Sequence, residues 1–153
     1  ELFVIRKLIN KGVQQLDHET KKQYYVPSMS ARTIVYKALT LATTLDLYYE
    51  DLATDTYASA IALVHQRYST NTLPDWPLAH PFRFLAHNGE INTLRGNLNM
   101  TQCREDHMAS PLFGANIKKL LPLHNPNQSD SACFDNSFEM LVRGGRSMAH
   151  AMM

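Results

Sequence analysis

A chain of mixed α and β structure is predicted by three observations. Helical periodicity recurs in separated segments, short β-branched and aromatic runs lie between them, and two continuous apolar runs end in histidine-led polar motifs. The first helix is read from Leu2, Val4, Ile5, Leu8 and Ile9, and Asn10-Lys11-Gly12 would stop it. Residues 14–23 are polar and are expected to form a loop. Tyr24-Tyr25-Val26 and Thr33-Ile34-Val35-Tyr36 carry the side chains of short strands, with Pro27-Ser28-Met29-Ser30 as the turn between them. Leu39, Leu41, Leu45, Leu47 and Leu52 fall among polar residues in a pattern that suits a helix ending near Tyr48-Tyr49.

Ala60-Ile61-Ala62-Leu63-Val64 and Phe82-Arg83-Phe84-Leu85-Ala86 read as buried strands. The stretch Asn71 to Pro81 between them holds Pro74, Pro77 and Pro81, each removing a backbone donor and restricting its predecessor, so a stiff loop is expected. Residues 92–107 suit a helix capped by Asn92 or Thr93, with Leu94, Leu98 and Cys103 along one side. Asp135 to Arg146 suits another, capped by Asp135 or Asn136, with Gly144-Gly145 near its end. A further helix-like segment begins at Ser147. Both ends look cut, and residues 1–153 are expected to be an internal part of something longer.

The 153 residues are 44% hydrophobic, enough for one ordinary domain with a core of its own. Fifteen basic and fourteen acidic residues give a net charge of +1, which argues against nucleic acid or an anionic membrane as partner. No apolar run approaches the roughly 20 residues of a membrane span. Cys103 and Cys133 match neither a disulfide framework nor a zinc pattern. They suit a reducing compartment, cytosol or an organelle derived from it, and are expected to be buried and inert. The seven histidines share no helical spacing, so no metal site is expected.

Chemistry concentrates in two motifs. In His65-Gln66-Arg67-Tyr68-Ser69-Thr70, the guanidinium fork of Arg67 suits bidentate capture of a carboxylate, with Ser69 and Thr70 completing a cradle. Taken alone, an Arg at a strand end is more often a surface or structural salt-bridge residue. In His87-Asn88-Gly89, an Asn amide and the N–H of a Gly can together donate to a developing oxyanion, although Asn-Gly alone is also the pattern of a tight turn. His65 and His87 are read as packed, hydrogen-bonded supports. Ser129-Asp130-Ser131 is a loop acid flanked by hydroxyls, able to bind an ammonium or to cap a turn.

Taken together, these motifs resemble the class II glutamine amidotransferase domain, in the form found in glutamate synthases of the large-subunit type. The resemblance runs through Ser30 to Lys37, Ala62 to Thr72, Trp76 to Arg83, His87 to Asn97, Ser129 to Ala132 and Gly144 to Ser147. Ala38, Met100 and Gln128 stand where that family usually has Gly, Trp and Gly. The resemblance implies an α+β fold of the N-terminal-nucleophile hydrolase type: a four-layer αββα sandwich of two mostly antiparallel sheets, incomplete here at both ends. It implies that Arg67 holds the α-carboxylate of glutamine with Thr70 beside it, that Asp130 holds the α-ammonium, and that Asn88 and Gly89 form the oxyanion hole.

The family's N-terminal Cys nucleophile is absent from these residues, and by the same resemblance the chain is not active alone. The domain would release ammonia to a synthase domain of the same polypeptide for glutamate synthesis from 2-oxoglutarate. FMN and an iron–sulfur cluster would belong to that other part, with none in this segment. A small subunit or ferredoxin would supply electrons, and the location would be cytoplasmic, or plastid in a photosynthetic eukaryote. The competing readings are another class II amidotransferase, akin to amidophosphoribosyltransferase, and a non-catalytic relic of the fold.

Overall fold

Phe3 and Arg6 lie about one helical turn apart and are the buried residues of the first helix, α1 (Leu2–Val13). The protein is seen in a computed structural model, which describes residues 1–66, 75–87, 91, 93–125 and 128–153. Where a loop was expected over 14–23, Asp17 caps a short α2 (His18–Gln23). Its carboxylate accepts from the Thr20 N–H at 3.0 Å and from the Thr20 hydroxyl at 2.6 Å. An Asp three residues before a Thr is a helix-start signal that polarity alone obscures.

The helix expected over 39–52 breaks into a 3₁₀ turn (Ala42–Thr44), α3 (Leu45–Tyr48) and a second 3₁₀ turn (Glu50–Ala53). Leu39, Leu41 and Leu47 are 67–77% exposed, so no apolar face is buried to hold a longer helix. The Thr44 hydroxyl meanwhile donates to the Leu41 carbonyl at 2.9 Å, offering the backbone a local alternative. α4 (Leu94–Glu105) follows Thr93, which takes the expected cap position in a left-handed conformation, φ 67°, without a side-chain cap bond. After a 3₁₀ turn (Gly114–Asn116) come α5 (Ile117–Leu120), α6 (Asp130–Arg143) and α7 (Met148–Met152). Ser147 caps α7, accepting from the His150 N–H at 3.2 Å.

α6 is the central element. Eight of its residues are buried, and they lie on most sides of the helix. Ser129 caps it by accepting from the Ala132 N–H at 3.2 Å, so it starts five residues before the expected Asp135. Asp135 and Asn136 are therefore buried interior residues rather than caps. The apolar core joins Phe3, Phe113, Ile117, Leu120, Leu123 and Met140, with the Phe3 and Phe113 rings 5.6 Å apart.

Against this core lie charges. Arg6 pairs with Glu139, their side chains 2% and 4% exposed. Arg83 comes within 3.9 Å of both Glu139 and Asp135, and donates to the Val26 carbonyl at 2.8 Å. The N–H groups of Arg83 and Phe84 donate to the Asp135 carboxylate at 3.3 and 2.9 Å. Burial pushes the Asp135 carboxyl above its ordinary value, against the opposing pull of the Phe84 N–H and the Arg83 charge.

The expected four-layer sandwich is not what forms: among the described residues there is no strand. The reason is visible in the backbone donors of two of the four expected strands and in the exposure of a third. In Phe82 to Phe84 they turn to the Asp135 carboxylate and, for Phe82, to the Leu85 carbonyl at 2.8 Å. Val35 donates to the Ser28 hydroxyl at 3.0 Å, across the turn that was to join Tyr24–Val26 to Thr33–Tyr36. Ile61 and Val64 are 83% and 77% exposed. Strand preference records a fit to a pleated, half-buried surface, and without a paired neighbour it does not make a ladder.

Glu139→Ala leaves the Arg6 charge buried without its partner and is expected to lower stability by about 3–5 kcal/mol, read from urea unfolding. The double change Arg6→Met with Glu139→Leu should recover most of that loss, since no charge is then stranded. Ser129→Ala should cost about 1 kcal/mol by removing the α6 cap, read as a fall in melting temperature.

Candidate functional site

Asp130 occupies the first position of α6, where the unpaired N–H groups of a helix start favour negative charge. One carboxylate oxygen accepts from the Ile91 N–H at 2.7 Å. The other accepts from the Ser131 N–H at 2.6 Å and the Ser131 hydroxyl at 3.0 Å. Burial alone would push this carboxyl up, but the bonds from Ile91 and Ser131 outweigh it and hold it below its ordinary value. Asp130 is consequently an anion at neutral pH. Three of the roughly four acceptor sites of a carboxylate are occupied, which leaves room for one more donor.

Ser131 also lies 2.6 Å from His87 Nε2. A hydroxyl has a single proton, and here it points to Asp130, so His87 carries its hydrogen on Nε2 and donates. His87 meets the edge of His80 with ring centroids 5.4 Å apart, and His80 stacks on His65 at 4.9 Å and against Phe82 at 4.4 Å. Burial, with the neighbouring His65 and His87, pushes His80 down to about 4, so it is neutral at physiological pH. His65, His80 and His87 thus form a three-imidazole cluster beside the start of α6, while the motifs that His65 and His87 were expected to support lie outside the described residues.

Of the residues singled out from the sequence, Arg67, Thr70, Asn88 and Gly89 lie outside the described residues. Asp130 is described, but in a helix's first turn rather than a loop. Gln128 occupies a position where the resemblance favours glycine, yet among the described residues only Thr93, of the non-glycines, has a positive φ. Its side-chain oxygen instead accepts from the Asn125 N–H and the Asn136 amide, both at 2.9 Å. Gln128 ties the approach of the chain to α6 itself.

Lys37 was not singled out and proves to be a clamp. It is 8% exposed, donates to the Ala79 carbonyl at 2.6 Å and the Trp76 carbonyl at 3.1 Å, and sits 4.5 Å from the Tyr25 ring centroid. The 3₁₀ turn Trp76–Leu78, just before His80, is fixed by it. Burial, with the nearby Arg83 charge, pushes Lys37 down to about 7. A lone Lys closing the run Thr33 to Tyr36 was the available signal. The cysteines correct one expectation: Cys133 is buried, its thiol pushed up to about 11 by burial, whereas Cys103 is exposed. Among the described residues no group of three His, Cys, Asp or Glu side chains could hold a metal ion, and no helix is long and apolar enough to cross a membrane.

A fixed anion, a hydroxyl and a donating imidazole can hold and orient a polar ligand. They do not make a nucleophile, since the Ser131 hydroxyl is buried and already engaged at both its donor and acceptor sides. The family described as "Glutamine amidotransferases class-II" matches the chain over residues 1–153. The chain is 48% identical to the glutamate synthase [NADPH] large chain of Bacillus subtilis (strain 168), with all of this chain and 10% of that one covered. It is 46% identical to the glutamate synthase [NADPH] large chain of Azospirillum brasilense, over 96% of this chain and 10% of that one. The chloroplastic ferredoxin-dependent glutamate synthase of Spinacia oleracea is 44% identical, over 100% and 9%. The chain therefore spans about a tenth of the length of these relatives, and by its whole-length match it belongs to the class II glutamine amidotransferases.

Proposed function

We propose that this chain forms the glutamine-holding and oxyanion-stabilising part of a glutaminase that feeds ammonia to glutamate synthesis within a larger polypeptide. The observation that carries the reading is the pair of ties at the start of α6. His87 and Ile91, the described residues flanking the Asn88-Gly89-Glu90 stretch, bond to Ser131 and Asp130 respectively. The neighbours of the Asn-Gly donors and the acid suited to an ammonium thus belong to one cluster.

In this reading Arg67 clamps the α-carboxylate of glutamine by two parallel hydrogen bonds, with Thr70 beside it. Asp130 uses its remaining acceptor site for the α-ammonium. Asn88 and the Gly89 N–H take the negative charge that develops on the amide oxygen during attack. The attacking thiolate is not assigned to either cysteine here, because a buried thiol with a raised pKa is a poor nucleophile and Cys103 lies on α4. Ammonia leaves for a synthase domain of the same polypeptide. Flavin and an iron–sulfur cluster would serve that other part: a cluster held by thiolates takes three or four cysteines, and these residues include two. Relatives named for NADPH and for ferredoxin match at similar identity, so these residues do not select the electron donor.

In the complete polypeptide, Asn88→Ala should lower glutaminase turnover by roughly 10²–10³-fold with little change in the Michaelis constant, measured as ammonia release from glutamine. Retention of turnover within about threefold, with lost stability, would mark Asn88 as a turn residue only. Asp130→Asn should raise the Michaelis constant. The stability that Asp130 contributes is present above its ordinary carboxylate range, because its folded value is the lower one, and is lost as the pH falls through that folded value. Parent and Asp130→Asn proteins should therefore converge in stability in strong acid, which a pH series of urea unfolding curves would show.

A further inference from the structure

A cavity of about 560 Å³ opens between α1, α2, the end of α5 and the segment after it, α6, and the segment around Phe82. Its lining carries Arg6, Lys7, Lys11, Lys21, Arg83 and Lys119. Among the described residues, Asp75 and Asp135 are the acids that oppose them in the wall, with Glu139 behind Arg6. Arg6 and Arg83 are committed to Glu139 and Asp135, whereas among the described residues the lysines have no carboxylate within ion-pair distance. Lys7 donates to the Leu123 carbonyl at 3.1 Å, and Lys11 to the carbonyls of Leu121 and Lys119. Those bonds fix where the ammonium groups sit. An ammonium has three N–H donors, so both retain capacity for an acceptor inside the cavity.

Tyr24, Tyr25, Leu78 and Phe82 also line the cavity, so a bound molecule would meet rings and methyl groups as well as charges. The volume is that of an ordinary small-molecule site. Burial, and next the charge of Arg6, pushes Lys7 down to about 8, with Arg83 adding to the effect and Glu139 and Glu105 opposing it. Burial thus disfavours the charged form of Lys7, and an anion beside it would stabilise that form.

We propose that this cavity binds a small organic molecule bearing two or more negative charges on oxyanion groups, its charged head among Lys7, Lys11 and Lys119 and its apolar body against Tyr25 and Phe82. Of the described residues of the glutamine-holding cluster, Asp130, Ser131, His87, His80 and His65 do not line the cavity, and the test involves no glutamine, so the site stands or falls without the proposed function. The charged head can be a phosphate or a dicarboxylate, and pyrophosphate and succinate serve as the two probes.

The experiment labels the chain with acetic anhydride at pH 7 and follows Lys7 by mass spectrometry, with Lys118, exposed and outside the lining, as internal control. Sodium chloride keeps ionic strength constant. A bound anion that raises the Lys7 pKa by a unit slows its labelling about tenfold, saturably, and leaves Lys118 unchanged. Protection by pyrophosphate alone marks a phosphorylated ligand, and protection by succinate alone or equally marks a carboxylate one. Either result supports the site. The variants Lys11→Gln and Lys119→Gln change exposed side chains, so folding is not in question, and each should weaken protection. Failure of both probes to protect Lys7, or equal protection by sodium chloride at matched ionic strength, overturns the proposal.

Discussion

The buried pair between Arg6 and Glu139 is the constraint on which the arrangement of helices depends. Removing two full charges from water costs several kcal/mol each, and only close opposition with further polar partners offsets it. Glu139 supplies that opposition to Arg6 and, at longer range, to Arg83, while Arg83 also answers Asp135. Four side chains from three parts of the chain therefore admit a narrow set of relative positions. The apolar cluster around Phe3, Phe113 and Leu120 then packs within a frame whose orientation the charges have already restricted. Net stabilisation by such a network is modest, and what it contributes is the choice of one arrangement over others.

That choice reaches the site through α6. Glu139 and Asp135 lie one turn apart on the same helix, so seating them also sets the direction in which the start of α6 points. Asp135 gathers the N–H groups of Arg83 and Phe84, which holds the chain just after His80 and Phe82. Lys37 holds the turn just before them by bonding to the carbonyls of Trp76 and Ala79. His80 is gripped from both sides, and its contacts with His65 and His87 follow from that grip. The hydrogen bond from His87 to Ser131 and that from Ile91 to Asp130 complete the path from buried charges to functional cluster.

Part of this was legible in the residues. Helical periodicity located α1, α4 and α6 because those patterns are local, and the helix-like segment read from Ser147 onward is α7. The start of α6 was missed because Ser129-Asp130-Ser131 reads as well as a turn as it does as a cap followed by an acidic first turn. The sheets were misread because Tyr24 to Val26 and Phe82 to Ala86 state only that extended backbone is comfortable, not which groups receive their N–H donors. The charge network was illegible for a further reason. Arg6 and Glu139 are 133 residues apart, and no local pattern marks them as partners. His65, Asp130 and their neighbours could be nominated by motif, but the place of Lys37 and His80 among them required the folded chain.

α1 shows what such a pairing does to the freedom of a sequence to drift. Its outward side carries Leu2, Ile5, Leu8 and Ile9, each 39–47% exposed, while its inward side carries Phe3 and Arg6. Those side chains are partly open to solvent, so an apolar exchange there should disturb little. Arg6 has no such liberty: a change at Glu139 strands Arg6, and one at Arg6 leaves Glu139 to the more distant Arg83, at 3.9 Å. Two codons at opposite ends of this stretch are therefore expected to behave as one hereditary unit, crossed most easily by paired replacement, while the greasier positions beside them tolerate single changes.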